Sequence, residues 1–132
     1  MTMMLRVAIE GGDTVSRAVL GAQVWAQEQG MSEVDSHRIA LVVSELATNQ
    51  VKYAYGRGEV ILRRHEGGRA YIEIEALDRG PGIADVEWAM TDHHSTGGTL
   101  GLGLPGVRRM VDELTIDTTP EGTRVTARKW WP

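Results

Sequence analysis

The chain has 132 residues, of which 42% are hydrophobic, and it contains no cysteine. This size and composition predict a single compact domain, residues 1–132, with a hydrophobic core and no room for a second domain. The formal net charge of −4 argues against a nucleic-acid partner, and the lack of a leader segment or of an apolar run of about 18 residues predicts a cytoplasmic protein without membrane contact.

The first half of the chain predicts one strand followed by two amphipathic helices. Alternation of apolar and polar residues favours a strand over residues 5–10. A helical period then extends from Asp13, the predicted N-cap, to about residue 29, where Gly30 ends it. Ser32 is the predicted N-cap of a second helix that continues to about Ala54.

The second half predicts two hairpins with a short helix between them. The strands of the first hairpin meet at a Gly67-Gly68 turn, and those of the second meet at residues 120–122. Because strands outnumber helices and both hairpins are antiparallel, we expect an α+β fold in which helices pack on one face of a sheet. The predicted elements are strands 59–65 and 71–78, a helix at 104–111, and strands 114–118 and 123–129.

Asp78 ends the third predicted strand and is followed directly by a glycine-rich turn. Since side chains alternate along a strand, Asp78 faces the same side as Ile72 and Ile74, which is the predicted interior. A buried carboxylate needs a hydrogen-bond donor. That donor is either a backbone amide of the turn or a bound ligand, which Gly80 and Gly82 would allow to approach closely.

The second helix carries a polar stripe formed by Glu45, Asn49 and Lys52. One interpretation is a solvated face with glutamate–lysine pairing. The other is a nucleotide site, because asparagine is a poor mid-helix residue whose amide oxygen suits Mg²⁺, while an ammonium suits phosphates and a carboxylate suits a general base. The predicted apolar stripe of the same helix carries Ile39, Val43, Leu46, Gln50 and Tyr53.

Residues 96–110 contain the pattern G-x-G-x-x-G, at Gly101, Gly103 and Gly106. A dinucleotide-binding fold requires a strand directly before this pattern, a crossover helix after it and an acidic residue about 20 residues further on. Here the preceding residues 92–98 are typical of a loop, and only a short stretch of chain remains downstream. Glycine amides that lead into a helix with Pro105 in its first turn nevertheless suit a phosphate group. Further along, the predicted strand phase points the Thr123 hydroxyl toward the same interior as Asp78.

Taken in order, four segments resemble the motifs of the GHKL (Bergerat-fold) ATP-binding superfamily. Residues 45–49 resemble its N box, 78–82 its first glycine box, 101–103 its second, and 122–123 its last. The segments SELATN, DRGPGI and LGLGLPGVRRMVDE are similar to those of the serine/threonine kinases of bacterial partner-switching systems, in particular the stressosome switch kinases. The resemblance implies a two-layer α/β sandwich with a mixed sheet of about five or more strands.

The same resemblance implies ATP and Mg²⁺ as cofactors and a STAS-domain antagonist protein as the phosphorylated substrate. It implies that Asp78 and Thr123 bind adenine, that Asn49 is the Mg²⁺ ligand, that Glu45 is the catalytic base, and that residues 87–98 form a lid. A place for Lys52 near the phosphates is inferred from the polar stripe. The complete predicted nucleotide site is Asn49, Lys52, Asp78, Gly80, Gly82, Ile83, Gly97, Gly98, Thr99, Leu100, Gly101, Leu102, Gly103 and Thr123.

The resemblance also implies protein partners. Switch kinases of this kind also bind and activate a metal-dependent serine phosphatase once they are released from their antagonist. Two alternatives stay open: an anti-sigma factor with kinase activity, and a non-catalytic nucleotide-binding switch that acts by protein contact. The Trp130-Trp131 end serves a partner surface in one interpretation and packs at the sheet edge in the other.

Overall fold

The computed structural model describes residues 3–91 and 103–131. Every predicted element is present, with bounds within two residues of those expected, and the one-turn helix α3 is an addition. The described elements, in chain order, are β1 (Met4–Glu10), α1 (Gly12–Glu28), α2 (Glu33–Tyr53), β2 (Arg57–His65), β3 (Tyr71–Asp78), α3 (Val86–Ala89), α4 (Leu104–Met110), β4 (Glu113–Thr119) and β5 (Gly122–Trp130).

The five strands form one sheet in the order β1-β2-β3-β5-β4. All four strand pairs in the described part of the chain are antiparallel, so the sheet differs in this respect from the mixed sheet that was expected. The reason is topological: the two antiparallel helices α1 and α2 return the chain to the end of the sheet that it left, and β2 therefore runs opposite to β1. The α+β class and the two-layer arrangement are confirmed.

The core lies between the helices and one face of the sheet. Val60, Leu62, Ile72 and Ile74 alternate along β2 and β3, and each is 0% exposed. They belong to one apolar cluster with the buried face of α2, whose members include Ile39, Val43 and Leu46. Burying side chains of this kind stabilises the fold by about 1.5–3 kcal/mol each, and it fixes which face of α2 is turned toward the sheet.

The opposite face of the sheet is covered by its own ion pairs. Glu73 and Glu75 on β3 are only 9% and 8% exposed although they point away from the described helices. Arg63 on β2 lies 3.4 Å from both carboxylates, and Arg124 and Arg128 on β5 reach Glu75 and Glu73 at 3.1 and 3.4 Å. These cross-strand pairs stabilise the sheet and leave the helical face as the side on which a cavity can form.

The N-caps of the two long helices agree with the prediction for α2 and differ from it for α1. Asp13 is not the N-cap of α1; Gly11 holds that position, and Thr14 Oγ1 accepts a hydrogen bond from the Glu10 amide at 2.7 Å. Asp13 instead lies in the first turn, where its charge complements the helix dipole. Ser32 caps α2 as predicted, accepting a bond from the Asp35 amide at 3.1 Å.

No helix in residues 3–91 or 103–131 combines the length and apolar character needed to cross a bilayer.

The carboxyl-terminal tryptophans pack on the body of the domain. The Trp131 amide donates to the Ala70 carbonyl at 2.9 Å, and the Arg64 guanidinium lies 4.6 Å from the centroid of a Trp131 ring. Trp130 meets Tyr71 edge to face, with 5.4 Å between ring centroids. Of the two interpretations of this end, packing on the sheet is the one observed.

Candidate functional site

Three polar side chains form one row at the end of the sheet. Asp78 on β3 is directly opposite Thr123 on β5, and Thr123 is directly opposite Thr118 on β4. Residues opposite each other on one sheet face lie close enough for their side chains to interact. The hairpin register therefore brings the predicted Asp78 and Thr123 together, and it adds a neighbour, Thr118, that the sequence did not single out.

A cavity of about 40 Å³ lies between this row and α2. Ligand pockets in proteins usually measure about 300–1,000 Å³, so a bound purine requires the walls to move apart. Four of the predicted site residues line the cavity: Asn49, Asp78, Ile83 and Thr123. Its remaining walls are Leu46, Gln50, Tyr53, Ala54, Ala76, Leu104 and Val125.

Asp78 makes the turn contact that one of its two interpretations predicts, and its contact with a ligand stays a prediction. Its Oδ1 accepts a hydrogen bond from the Gly80 amide at 2.8 Å, which is the turn-stabilising contact. Within the described ranges its side chain makes no other hydrogen bond, and the residue is half-buried against the cavity. A carboxylate can accept several bonds, so the second oxygen retains the capacity to accept from a ligand.

The glycines after Asp78 are required by packing within the protein. A Cβ at Gly80 would lie 2.7 Å from the Ala54 Cα at the end of α2. Gly82 has a φ of 83°, and a Cβ there would collide with the Thr119 carbonyl. The sequence suggested that these glycines admit a ligand; the structure supplies a different reason for them, and their contact with a nucleotide stays a prediction.

The polar stripe of α2 is divided between the cavity and the surface. Asn49 is half-buried and lines the cavity, whereas Glu45 and Lys52 are exposed and lie outside its lining. The Glu45 carboxylate lies beside Gly103, the N-cap of α4, so closely that a Cβ on that glycine would occupy the same space. The structure thus brings two predicted residues, Glu45 and Gly103, together at the rim.

Gln50 also lines the cavity, a role that the sequence did not predict. It is 2% exposed, and its Nε2 donates to the carbonyls of Glu59 at 3.2 Å and Leu77 at 3.0 Å. These bonds attach α2 to β2 and to β3 at the residue before Asp78. Its Oε1 is buried without a hydrogen-bond partner in the described part of the chain. The available signal was a glutamine in a stripe of otherwise apolar residues.

Several predicted positions fall outside the described residues. They include most of the predicted lid and the second glycine box up to its last member, namely Gly97, Gly98, Thr99, Leu100, Gly101 and Leu102. The described beginning of the predicted lid forms α3, whose first turn is capped by Asp85 Oδ1 accepting from the Trp88 amide at 2.9 Å. The described residues contain no group of three acidic, histidine or cysteine side chains that would hold a metal ion.

Residues 12–129 match the family model described as a histidine kinase-like ATPase domain. The chain is 42% identical over 120 residues to a Bacillus subtilis (strain 168) protein named serine/threonine-protein kinase RsbT, and the match covers 89% of each chain. It is 31% identical over 124 residues to an anti-sigma F factor from Caldanaerobacter subterraneus subsp. tengcongensis, covering 89% of this chain and 85% of that relative.

Among solved structures, the RsbU and RsbW domains of Rv1364c from Mycobacterium tuberculosis superpose with a TM-score of 0.70 at 19% identity. The superposition covers 99% of this chain and 34% of that one, so the chain spans about a third of it and the likeness concerns the fold alone. The family match extends over nearly the whole chain and includes every element that builds the cavity. The chain therefore belongs to the family of histidine kinase-like ATPase domains.

Proposed function

We propose that this protein is an ATP-dependent serine/threonine kinase of a bacterial partner-switching system, with a STAS-domain antagonist protein as its substrate. The observation that carries the proposal is the cavity in which Asp78 and Thr123 meet Asn49 of α2. The family match and the identity of 42% to a protein named serine/threonine-protein kinase RsbT support it. A kinase of this kind would act in the cytoplasm, where its protein substrate and ATP are both present.

The purine end of the site is proposed at Asp78. One carboxylate oxygen is held by the Gly80 amide at 2.8 Å, which fixes the direction of the other. A carboxylate accepts a hydrogen bond from the amino group of adenine and repels the carbonyl oxygen of guanine. Selection of ATP over GTP follows from that one group.

The phosphate end is proposed along α2. Asn49 lines the cavity and offers an amide oxygen, which suits Mg²⁺ because this ion binds few protein ligands and keeps the rest of its shell as water and phosphate oxygens. Bound there with ATP, the ion would neutralise charge on the phosphates. Lys52 is exposed and has no ion pair with any described residue, so it is free to approach the phosphates from outside.

Glu45 is the proposed catalytic base. Its carboxylate is at the surface beside Gly103, where a serine or threonine hydroxyl of a protein substrate has access. The base takes the hydroxyl proton as the oxygen attacks the terminal phosphorus, and the bond to ADP breaks. The residues of the glycine-rich segment 97–102 are proposed to enclose the triphosphate.

Gly103→Ala tests the placement of Glu45. The glycine has a φ of 72°, so alanine there is strained by about 1–2 kcal/mol, and its methyl group also displaces the Glu45 carboxylate. Gly68→Ala is the matched control, because its φ is 73° and no atom lies within 4 Å of the new Cβ. We expect similar losses of unfolding free energy, with phosphoryl transfer reduced at least roughly tenfold only in Gly103→Ala. Equal transfer rates in both variants would contradict the role of Glu45.

Three further possibilities are tested beside the kinase activity. The identities of 29–31% to proteins named anti-sigma F factor favour, as a second candidate, a kinase that also binds a sigma factor. A further proposed partner is a serine phosphatase that the released kinase binds and activates. A non-catalytic switch that binds nucleotide and acts only through contact is the third possibility.

The deciding experiment incubates the chain with γ-labelled ATP, Mg²⁺ and individual STAS-domain proteins from the same genome. Labelling of one serine or threonine on one of them is the expected result, and mass spectrometry identifies the residue. Pull-downs with candidate sigma factors and phosphatases then separate the outputs. Binding of ATP with no label on any STAS protein, and with a phosphatase activated by contact, would instead establish the non-catalytic switch.

A further inference from the structure

Thr118 connects two parts of the candidate site that are distant in the chain. Its Oγ1 accepts a hydrogen bond from the Ile83 amide at 2.8 Å and lies 2.8 Å from the Thr123 Oγ1. Ile83 and Thr123 both line the cavity. Thr118 contacts both of them but does not line the cavity itself. Thr118 is half-buried, so its polar atom depends largely on protein partners.

The direction of the hydrogen bond between the two threonines follows from which hydroxyl proton can reach a ligand in the cavity. A threonine hydroxyl has one proton to donate and two lone pairs that accept. Thr118 already accepts from Ile83, and among the described residues the acceptor in reach of its own proton is the Thr123 Oγ1. The Thr123 proton can instead reach an acceptor bound in the cavity, because Thr123 lines the cavity and Thr118 does not. With such an acceptor present, both hydroxyl protons are paired only if Thr118 donates to Thr123.

We propose that Thr118 is a positioning residue that makes Thr123 a hydrogen-bond donor toward the cavity. The inference rests on the proposed nucleotide function and adds a second element to its purine selectivity. Asp78 and Thr123 are directly opposite each other on β3 and β5. The site then presents an acceptor, the free Asp78 oxygen, next to a donor, the Thr123 hydroxyl.

This order of acceptor and donor matches one edge of one purine. Adenine presents an amino donor at C6 beside an acceptor at N1, so the amino group meets Asp78 and N1 meets the Thr123 proton, directly or through a water molecule. Hypoxanthine and guanine present the reverse order, a carbonyl oxygen at C6 and an N–H at N1. With Thr118 holding the proton direction, both contacts are wrong for those bases. Without Thr118, the Thr123 hydroxyl can turn and accept.

The test compares ATP with ITP, the hypoxanthine nucleotide, by equilibrium binding to three variants. Thr118→Val removes the hydroxyl at nearly constant shape, Thr118→Ser retains it, and Thr115→Val makes the same change on the exposed face of the same strand. We expect the ratio of the ITP and ATP dissociation constants to fall roughly threefold to tenfold in Thr118→Val and to stay near the wild-type value in the other two. A merely structural effect of Thr118 would weaken both nucleotides equally, and an unchanged ratio would overturn the proposal.

A measurement on the wild-type chain tests the same donor without any substitution. In 1-deaza-ATP the N1 acceptor is replaced by C–H, so its affinity should be roughly threefold to tenfold below that of ATP. Equal affinity of the two nucleotides would overturn the donor assignment while leaving the nucleotide site intact. If the wild-type chain binds neither nucleotide, the proposed function itself fails, and the two failures are therefore distinguishable.

Discussion

Asp78→Asn is expected to raise the dissociation constant for ATP by roughly tenfold to 150-fold. This range corresponds to the loss of one charge-assisted hydrogen bond. The asparagine oxygen can still accept from the Gly80 amide, as Asp78 Oδ1 does at 2.8 Å. The second carboxylate oxygen is replaced by an amide NH₂ group. This group is a donor and faces the adenine amino group, which is also a donor. Isothermal titration calorimetry with ATP and Mg²⁺ measures the change.

Asp117→Asn is the control for this substitution. Asp117 is exposed on the outer side of β4, one residue before Thr118, and makes no ion pair with the described residues. The same loss of one negative charge there should leave ATP affinity within about twofold of the wild type. Asp117 points away from the cavity, and the charge of an exposed side chain is screened by salt. Undiminished affinity in Asp78→Asn would remove the cavity as the purine site.

Glu45→Gln is expected to slow phosphoryl transfer to the protein substrate by roughly 100-fold to 10,000-fold while ATP binding stays near the wild-type level. Glutamine retains the shape that lies beside Gly103 but accepts a proton poorly. Glu45 is outside the cavity lining, so the purine contacts are unaffected. Single-turnover transfer of label from ATP, at saturating substrate, separates the chemical step from binding.

Glu33→Gln supplies the comparison on the same helix. Glu33 is exposed in the first turn of α2, three helical turns from Glu45, and its substitution should leave the transfer rate unchanged. A Glu45→Gln variant with the full transfer rate would remove the base role. If the variant loses transfer but still activates a phosphatase, catalysis and contact signalling reside in the same chain and can be separated.

Local periodicity is sufficient to predict the five strands, the helices α1, α2 and α4, and the inward direction of Asp78 and Thr123. Strand alternation depends only on neighbouring residues, and Thr123 is buried in phase with Val125 and Ala127 of the same strand, β5. The prediction of Asp13 as the N-cap of α1 is wrong although aspartate is a good capping residue by type, because the helix already begins after Gly11. Thr14 Oγ1 there accepts from the Glu10 amide and donates to the Gly11 carbonyl.

Contacts between residues far apart in the chain could not be predicted in this way. The bond from Gln50 to the Leu77 carbonyl joins residues 27 positions apart, and the bond from the Ile83 amide to Thr118 joins residues 35 positions apart. Gln50 differs from its neighbours only as a polar member of an apolar stripe, which does not identify its partner, and Thr118 is an ordinary strand residue. Both contacts depend on the strand order and on the distance at which α2 packs over the sheet.

By itself, the sequence determined where the five strands and the helices α1, α2 and α4 lie, which side chains face the interior, and the spacing of the four segments of the predicted nucleotide site. These properties depend on neighbouring residues and on residue type. Only the tertiary structure decided that Asp78 shares its carboxylate between the Gly80 amide and the cavity, that Gly80 and Gly82 are required by packing, and that Thr118 stands behind Thr123. The physical reason is that hydrogen bonds and steric contacts of this kind form between segments whose relative positions are set by strand register and helix packing, which no local pattern specifies.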